Sequence, residues 1–283
     1  MSHENPGESV ARWAAEAEAI LIGAGSGLSA EAGFDYTDEA AFARSYPGLV
    51  KLGFRKKADL IGQVGLPPEL EWGYYLANAQ EVRFGPVPTG VYDRLHRLVA
   101  ERDHFVLTTN ADGLFVRSGF DPDRVFTPQG DYDRYQCLTP CTKETWPTAE
   151  LIRNYLPLVD HETQALPKGR VPACPRCGGP VFLNVRGGDW FVEDPYVPAS
   201  RRYQDWLVSV RNNRILLVEF GSGFNTPGWI RKPFERMARS WPEARMVRVN
   251  VHDSEVPPDL GARAFGWATR ARTALDAWEA AVP

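Results

Sequence analysis

The sequence predicts an α/β fold: a parallel sheet with helices on both faces, a small inserted metal-binding module and a helical excursion. Three observations carry this reading. Four short apolar runs each end in Gly, Asn, Ser or Asp; a glycine-rich turn leaves the first of them; and all four cysteines fall as two close pairs within one Pro- and Gly-rich stretch. In an open parallel sheet the carboxyl ends of the strands gather at the crevice where ligands bind, so polar strand ends point to a single nucleotide site.

Within 8–18, Val10, Trp13, Ala14 and Ala17 recur at helical spacing, and Ala19-Ile20-Leu21-Ile22 then reads as a short buried strand. The run Gly23-Ala24-Gly25-Ser26-Gly27-Leu28-Ser29-Ala30-Glu31-Ala32-Gly33 leaves that strand without bulk and enters an Ala-rich helical turn. Such a turn suits a phosphate, because small residues let backbone N–H groups approach an anion. From about 38 to 84 the chain makes the helical excursion, in which Pro67 opens a helix with Trp72, Tyr75, Leu76 and Ala79 on one face. A helix over roughly 90–102 carries Val91, Leu95, Leu98 and Val99 on one stripe and leads into a strand at 104–109 that ends in Asn110-Ala111-Asp112-Gly113. Beyond 200 the rhythm resumes: a strand at 214–220, the loop Gly221-Ser222-Gly223-Phe224-Asn225-Thr226-Pro227, a helix near 228–239, a strand at 245–249 ending at Asn250, and a closing helix at 267–281. These boundaries assign 1–136 and 201–283 to the nucleotide-binding domain and 137–200 to the module.

With 283 residues the chain can bury two cores. Against 36 acidic residues stand 32 basic ones, a formal charge of -4 that provides no general field for nucleic acid or anionic membrane. The start, 1–12, lacks an apolar core and the longest apolar runs have strand length, so no membrane span and a soluble, cytoplasmic protein are expected. Cys137-x3-Cys141 and Cys174-Pro175-Arg176-Cys177 supply four thiolates, a closed tetrahedral set that suits a structural zinc; buried free thiols are the alternative.

The glycine loop, taken with Thr108-Thr109-Asn110-Ala111-Asp112-Gly113-Leu114-Phe115, resembles the sirtuin (Sir2) family, in which a Gly-Ala-Gly-type loop precedes a Thr-Gln-Asn-Ile-Asp motif. The first loop aligns from Gly25, with Gly23-Ala24-Gly25 as a competing register two residues earlier. The resemblance continues through Phe126-Thr127-Pro128-Gln129-Gly130, the cysteine pairs, Gly221-Ser222-Gly223, Val249-Asn250 and Gly266-Trp267-Ala268, nearly the whole chain. It implies a Rossmann-like fold that binds NAD and zinc. By the same resemblance, Gly23, Ala24, Gly25, Ser26, Gly27, Leu28, Ala32, Gly33, Phe34 and Tyr36 line the cofactor. Thr109, Asn110, Asp112 and Gln129 meet its nicotinamide-ribose end, Gly221, Ser222, Gly223, Asn225 and Asn250 its adenosine half, and Trp267 is a last contact.

The departures are informative. Deacylating sirtuins carry His-Gly where this chain has Gln129-Gly130, and their imidazole accepts a proton from a ribose hydroxyl. An amide donates and accepts hydrogen bonds without taking that proton, so Gln129 is expected to position the ribose or an incoming nucleophile; a site that only binds nucleotide is the alternative. None of His3, His96, His104, His161 and His252 stands at the family position, and only His252, just after a strand, could substitute. Thr109 replaces the family's Gln, Phe34-Asp35-Tyr36-Thr37 its Pro-x-Phe-Arg, and 183–194 the Phe-Gly-Glu region that grips an acyl-lysine peptide. The combination is similar to class M sirtuins, which microbes often encode beside macrodomain and lipoylation proteins. That similarity implies ADP-ribose transfer to a lipoylated carrier of the glycine-cleavage H kind, with a macrodomain hydrolase acting in reverse. Asn110, Asp112, Gln129 and Arg186 are then the catalytic set, Arg186 ordering a carboxylate or phosphate through its planar fork, unless it is only a surface ion pair. A deacylase or delipoylase with an unusual base, and an NAD hydrolase or sensor, stand as the other readings.

Overall fold

The computed structural model describes residues 5–88 and 90–282. Its strands are β1 (Ala19–Ala24), β2 (Asp103–Thr108), β3 (Val125–Phe126), β4 (Gly130–Cys137), β5 (Thr145–Pro147), β6 (Val181–Val185), β7 (Ile215–Phe220), β8 (Arg245–Asn250) and β9 (Ala264–Ala268). Six of them form one sheet in the order β3-β2-β1-β7-β8-β9, with every pairing parallel. β1 and β7 are buried at every position, which is why β1 reads as an unbroken apolar run and β7 as one interrupted only by Glu219.

Alternate residues of these strands face opposite layers. Ile20, Ile22, Val106 and Val218 pack beneath helices Pro6–Glu16, Tyr92–Val99 and Ala271–Ala280, while Leu21, Phe105, Leu107 and Leu217 pack beneath Val197–Val210 and Arg231–Ser240. Helix Pro6–Glu16 begins where Pro6 fixes the backbone and the Asn5 side chain accepts from Gly7 N at 3.0 Å. Among the described residues no helix is long and apolar enough to cross a membrane.

The second body is an antiparallel sheet, β5-β4-β6, whose core joins Tyr135, Leu151, Ile152 and Leu183 to Trp72, Leu76 and Ala79 of helix Pro68–Ala79. The excursion therefore shares a core with the cysteine segment instead of standing alone. The module expected over 137–200 starts earlier, because β4 begins at Gly130, and its far boundary also moves: helix Val197–Val210 lies on the main sheet through Tyr203, Trp206 and Val210. That stripe is only three residues wide, too narrow to announce a helix among polar neighbours.

Candidate active site

The strand order reverses between β1 and β7, whose sequels run to opposite edges, so the loops after them meet over the crevice of the sheet. Their contact is backbone against backbone. Gly27 N donates to Gly221 O at 3.1 Å; a Cβ on Gly25 would lie 2.6 Å from Gly221 O, and one on Gly27 would lie 2.7 Å from Gly221 Cα. Gly221 itself has φ +59, a left-handed conformation that a side chain would strain. Beside this cradle the Ser222 hydroxyl is buried and has no hydrogen-bond partner among the described residues.

The turn after β2 is registered on the same loop. Thr108 Oγ1 donates to Ala24 O at 3.0 Å, Thr109 N to Ala24 O at 3.0 Å and Asn110 Nδ2 to Gly25 O at 2.9 Å. Asp112 is buried, and its carboxylate accepts from Ser29 Oγ at 2.6 Å and from Leu114 N at 2.9 Å. Burial pushes this carboxyl above its usual range while those two donors pull it down. Through these two bonds Asp112 ties the glycine loop to the turn after β2.

Gln129 is half-buried between β3 and β4, at the carboxyl edge of the sheet. Its carbonyl accepts from Arg186 N at 2.9 Å, and its side-chain amide makes no hydrogen bond among the described residues. Gly130 follows at φ +94, where a Cβ would collide with the Asn184 carbonyl. Arg186 Nε donates to Pro128 O at 3.1 Å, its Nη2 pairs with Glu193 at 3.1 Å, and its guanidinium lies 4.4 Å from the Phe191 ring and 5.7 Å from that of Trp229. Arg186 thus braces the turn carrying Gln129 and also makes the surface ion pair. Asn184 is wholly buried, its amide donating to Gln136 Oε1 and Val192 O and accepting from Tyr196 Oη.

Other expected contacts divide by placement. Leu28 and Ala32 turn into the core, Phe34 packs against it, and a Cβ on Gly23 would strike Ile230 and Phe234, which leaves only backbone from Gly23, Leu28 and Ala32 for a nucleotide. Ala24 is buried and Ser26 exposed at the helix start, whereas Gly33 has φ +100 with open space around it. The Tyr36 hydroxyl lies 3.3 Å from that of Tyr132 and accepts from Asn78 at 3.0 Å. Gly223 and Asn225 are exposed in the loop, Asn250 donates to Ser222 O at 3.1 Å, and Trp267 is half-buried on β9. His3 lies outside the described residues.

Sequence reasoning missed Arg83. Helix Pro68–Ala79 widens into a π turn at Gln80–Phe84, which delivers Arg83 between two parts of the site. Its Nε donates to Asp131 Oδ1 at 2.6 Å and stands 2.6 Å from where a Gly113 Cβ would be. Burial and the neighbouring Asp133 push Asp131 up to about 7 against the pull of Arg83. No local pattern announces such a residue, since its role depends on the wider turn.

A cleft of about 720 Å³ is lined by Leu107, Phe126, Tyr203, Arg186, Trp229 and Pro128, the residue before Gln129. At the far end of β4 the four cysteine sulfurs lie within 4.8 Å of one another, with Cys137–Cys177 and Cys141–Cys174 each at 3.7 Å. Four sulfurs about 2.3 Å from a tetrahedral zinc stand roughly 3.8 Å apart, so Cys137, Cys141, Cys174 and Cys177 fit that ion, and both pairs are too long for disulfides.

No protein-family model matches the chain. A Staphylococcus aureus protein named protein ADP-ribosyltransferase is 31% identical over 254 residues, 88% of this chain and 79% of that protein. The chain belongs to the sirtuin (Sir2) family. A Fusarium oxysporum f. sp. cubense protein, named as a probable bifunctional ADP-ribose hydrolase/ADP-ribosyltransferase, is 34% identical over 255 residues; this sirtuin spans 87% of itself but 42% of that protein. A Pseudomonas aeruginosa NAD-dependent protein deacylase 2 is 27% identical over 189 residues, 65% of this chain and 67% of its own. A solved Sir2 homologue–NAD complex shares the fold at TM-score 0.58 and 16% identity, covering 99% of this chain and 94% of that one. Another solved Sir2 enzyme superposes at TM-score 0.59 and 18% identity over 98% and 97%.

Two outcomes follow for this sirtuin. Gly221→Ala forces a Cβ against Gly27 and is expected to weaken NAD binding by about fivefold to about 150-fold by calorimetry, through about 1–3 kcal/mol of backbone strain; unchanged affinity would remove the cradle from the site. Cys174→Ser is expected to lower bound zinc well below one per chain by metal analysis, and to lower the melting midpoint with it.

Proposed function

We propose that this sirtuin is an NAD-dependent protein ADP-ribosyltransferase that releases nicotinamide and modifies an acceptor protein, a lipoylated carrier of the glycine-cleavage H kind. The reading rests on Gln129, an amide at the turn where deacylating relatives need a proton acceptor. No described histidine supplies one nearby: His96 and His104 pack on the Phe120 ring, and His161 and His252 are exposed. Transfer to a nucleophile already held in the cleft depends on positioning and electrostatics, which this chain keeps.

Bound NAD would bring the ribosyl group and its leaving group. The protein's own part is to cradle the dinucleotide between Gly25–Gly27 and Gly221, to orient its nicotinamide end with Asn110, and to present the Gln129 amide to ribose or acceptor. Arg186 holds that amide's turn through the Pro128 carbonyl and offers part of its fork to the cleft. The cleft favours a long acceptor arm, with an apolar lining continued by Leu207 and Met237 and with Arg201 and Arg236 also in its wall. A lipoyl-lysine is such an arm.

The relatives from Fusarium and Staphylococcus support transfer by their names, and the Fusarium name joins it to ADP-ribose hydrolysis, the reversal that a separate macrodomain hydrolase would perform here. A cytoplasmic setting agrees with four thiols kept reduced for metal. The Pseudomonas relative favours a second reading, NAD-dependent deacylation.

The deciding experiment incubates the zinc-loaded protein with adenine-labelled NAD and a carrier, lipoylated or bare. Label is expected on the lipoylated carrier with matching nicotinamide release, and Gln129→Ala is expected to cut transfer at least about tenfold while NAD still binds. Nicotinamide release with no labelled carrier would sink the proposal, and acyl-peptide turnover surviving Gln129→Ala would favour the deacylase.

A further inference from the structure

Behind the adenosine side of the crevice lies a charge network that the chemistry above does not use. Glu219 of β7 and Arg248 of β8 are 0% and 1% exposed, joined at 3.0 Å between Oε2 and Nε, with Arg248 reaching outward to Glu235 at 2.9 Å and to the Glu255 carbonyl at 2.5 Å. Arg231, at the start of helix Arg231–Ser240, is 4% exposed, and its Nη1 stands 3.7 Å from Glu219 Oε1. That carboxylate oxygen has no hydrogen bond of its own. Burial, then the neighbouring Arg248, lowers the pKa of the Arg231 guanidinium, and burial raises that of the Glu219 carboxyl against the pull of Arg248.

Burying two arginines and a glutamate together is costly unless the geometry gains something. Here the gain is visible in the loops. Arg231 Nη1 donates both to Ser222 O at 3.0 Å and to Asp253 O at 2.8 Å, so one nitrogen joins the loop after β7 to the loop after β8. Asn250 adds a second donor to the same Ser222 carbonyl at 3.1 Å and, through Oδ1, accepts from His252 N and Asp253 N. The Ser222 carbonyl is thus held from two sides, and its hydroxyl is buried without a hydrogen-bond partner among the described residues.

Resting on the reading that this crevice binds NAD, we propose that Arg231 is a positioning residue for the adenosine half of the nucleotide: backed by Glu219 and Arg248, it locks the Ser222 and Asp253 loops into one preformed pocket wall. It touches no reacting atom, so it acts on affinity and leaves the chemical step alone.

The test compares wild type, Arg231→Ala and Arg231→Lys, the last retaining a cation beside Glu219 with a shorter reach. Dissociation constants for NAD and ADP-ribose come from calorimetry, KM and kcat from nicotinamide release, and inhibition by free nicotinamide is recorded alongside. Arg231→Ala is expected to raise Kd for NAD and ADP-ribose and KM for NAD together by about tenfold or more, a loss of about 1.4 kcal/mol in binding. Its kcat should stay within about twofold and its nicotinamide inhibition unchanged, with Arg231→Lys between the two proteins. If Arg231→Ala does not fold, the same pattern in Arg231→Lys supports the proposal. Variant affinities equal to wild type, or a fall in kcat at unchanged Kd, overturns it; a wild type that binds neither NAD nor ADP-ribose overturns the nucleotide reading and this inference with it.

Discussion

Everything in the site is built on two loops that touch through bare backbone. Gly25 and Gly27 meet Gly221 where the sheet changes direction, at distances that leave no room for a methyl group. From that contact the other turns take their positions in sequence: Thr108, Thr109 and Asn110 bond the carbonyls of Ala24 and Gly25, and Arg231 and Asn250 bond the carbonyl of Ser222. Each bond alone is worth about 1 kcal/mol net, but a buried carbonyl left without its donor costs more, so the turns stand or fall as a set.

The second body is fastened to this frame from two directions. Arg83 reaches from the excursion to Asp131 and the Gly113 turn, and Arg186 reaches from β6 to the Pro128 carbonyl. Between them runs β4, with the Gln129 turn at its first residue and Cys137 at its last. The metal-fitting end of the module and the Gln129 turn are the two ends of one strand, a route by which a structural ion could matter to a side chain it never contacts.

Legibility in the sequence followed burial. The apolar stretches of β1, β2, β7 and β8 are covered on both faces and are long enough to read as strands despite Glu219 and Arg248 within them, and the cysteine pairs are close enough in sequence to be seen as one set. β3 is two residues long and β9 is half-exposed, so neither leaves a pattern; Trp267 lies in this edge strand, and the closing helix expected from 267 begins at Ala271. The loop residues were visible because glycine and asparagine at strand ends have few other uses, yet packing decided which of them face the crevice and which, like Leu28 and Ala32, turn to the core. Arg83, Glu219, Arg231 and Arg248 were illegible for one reason: a charged residue reads as solvated until its partners elsewhere in the chain are known, even when, like Glu219 and Arg248, it lies inside an apolar strand.

The outermost strands of the main sheet are stubs, β3 with two residues at one margin and β9 with five partly exposed ones at the other. Unpaired peptide groups at a sheet margin invite another chain to add to the ladder, and short margins give it little to hold. Margins this short offer a second chain few peptide groups to pair with.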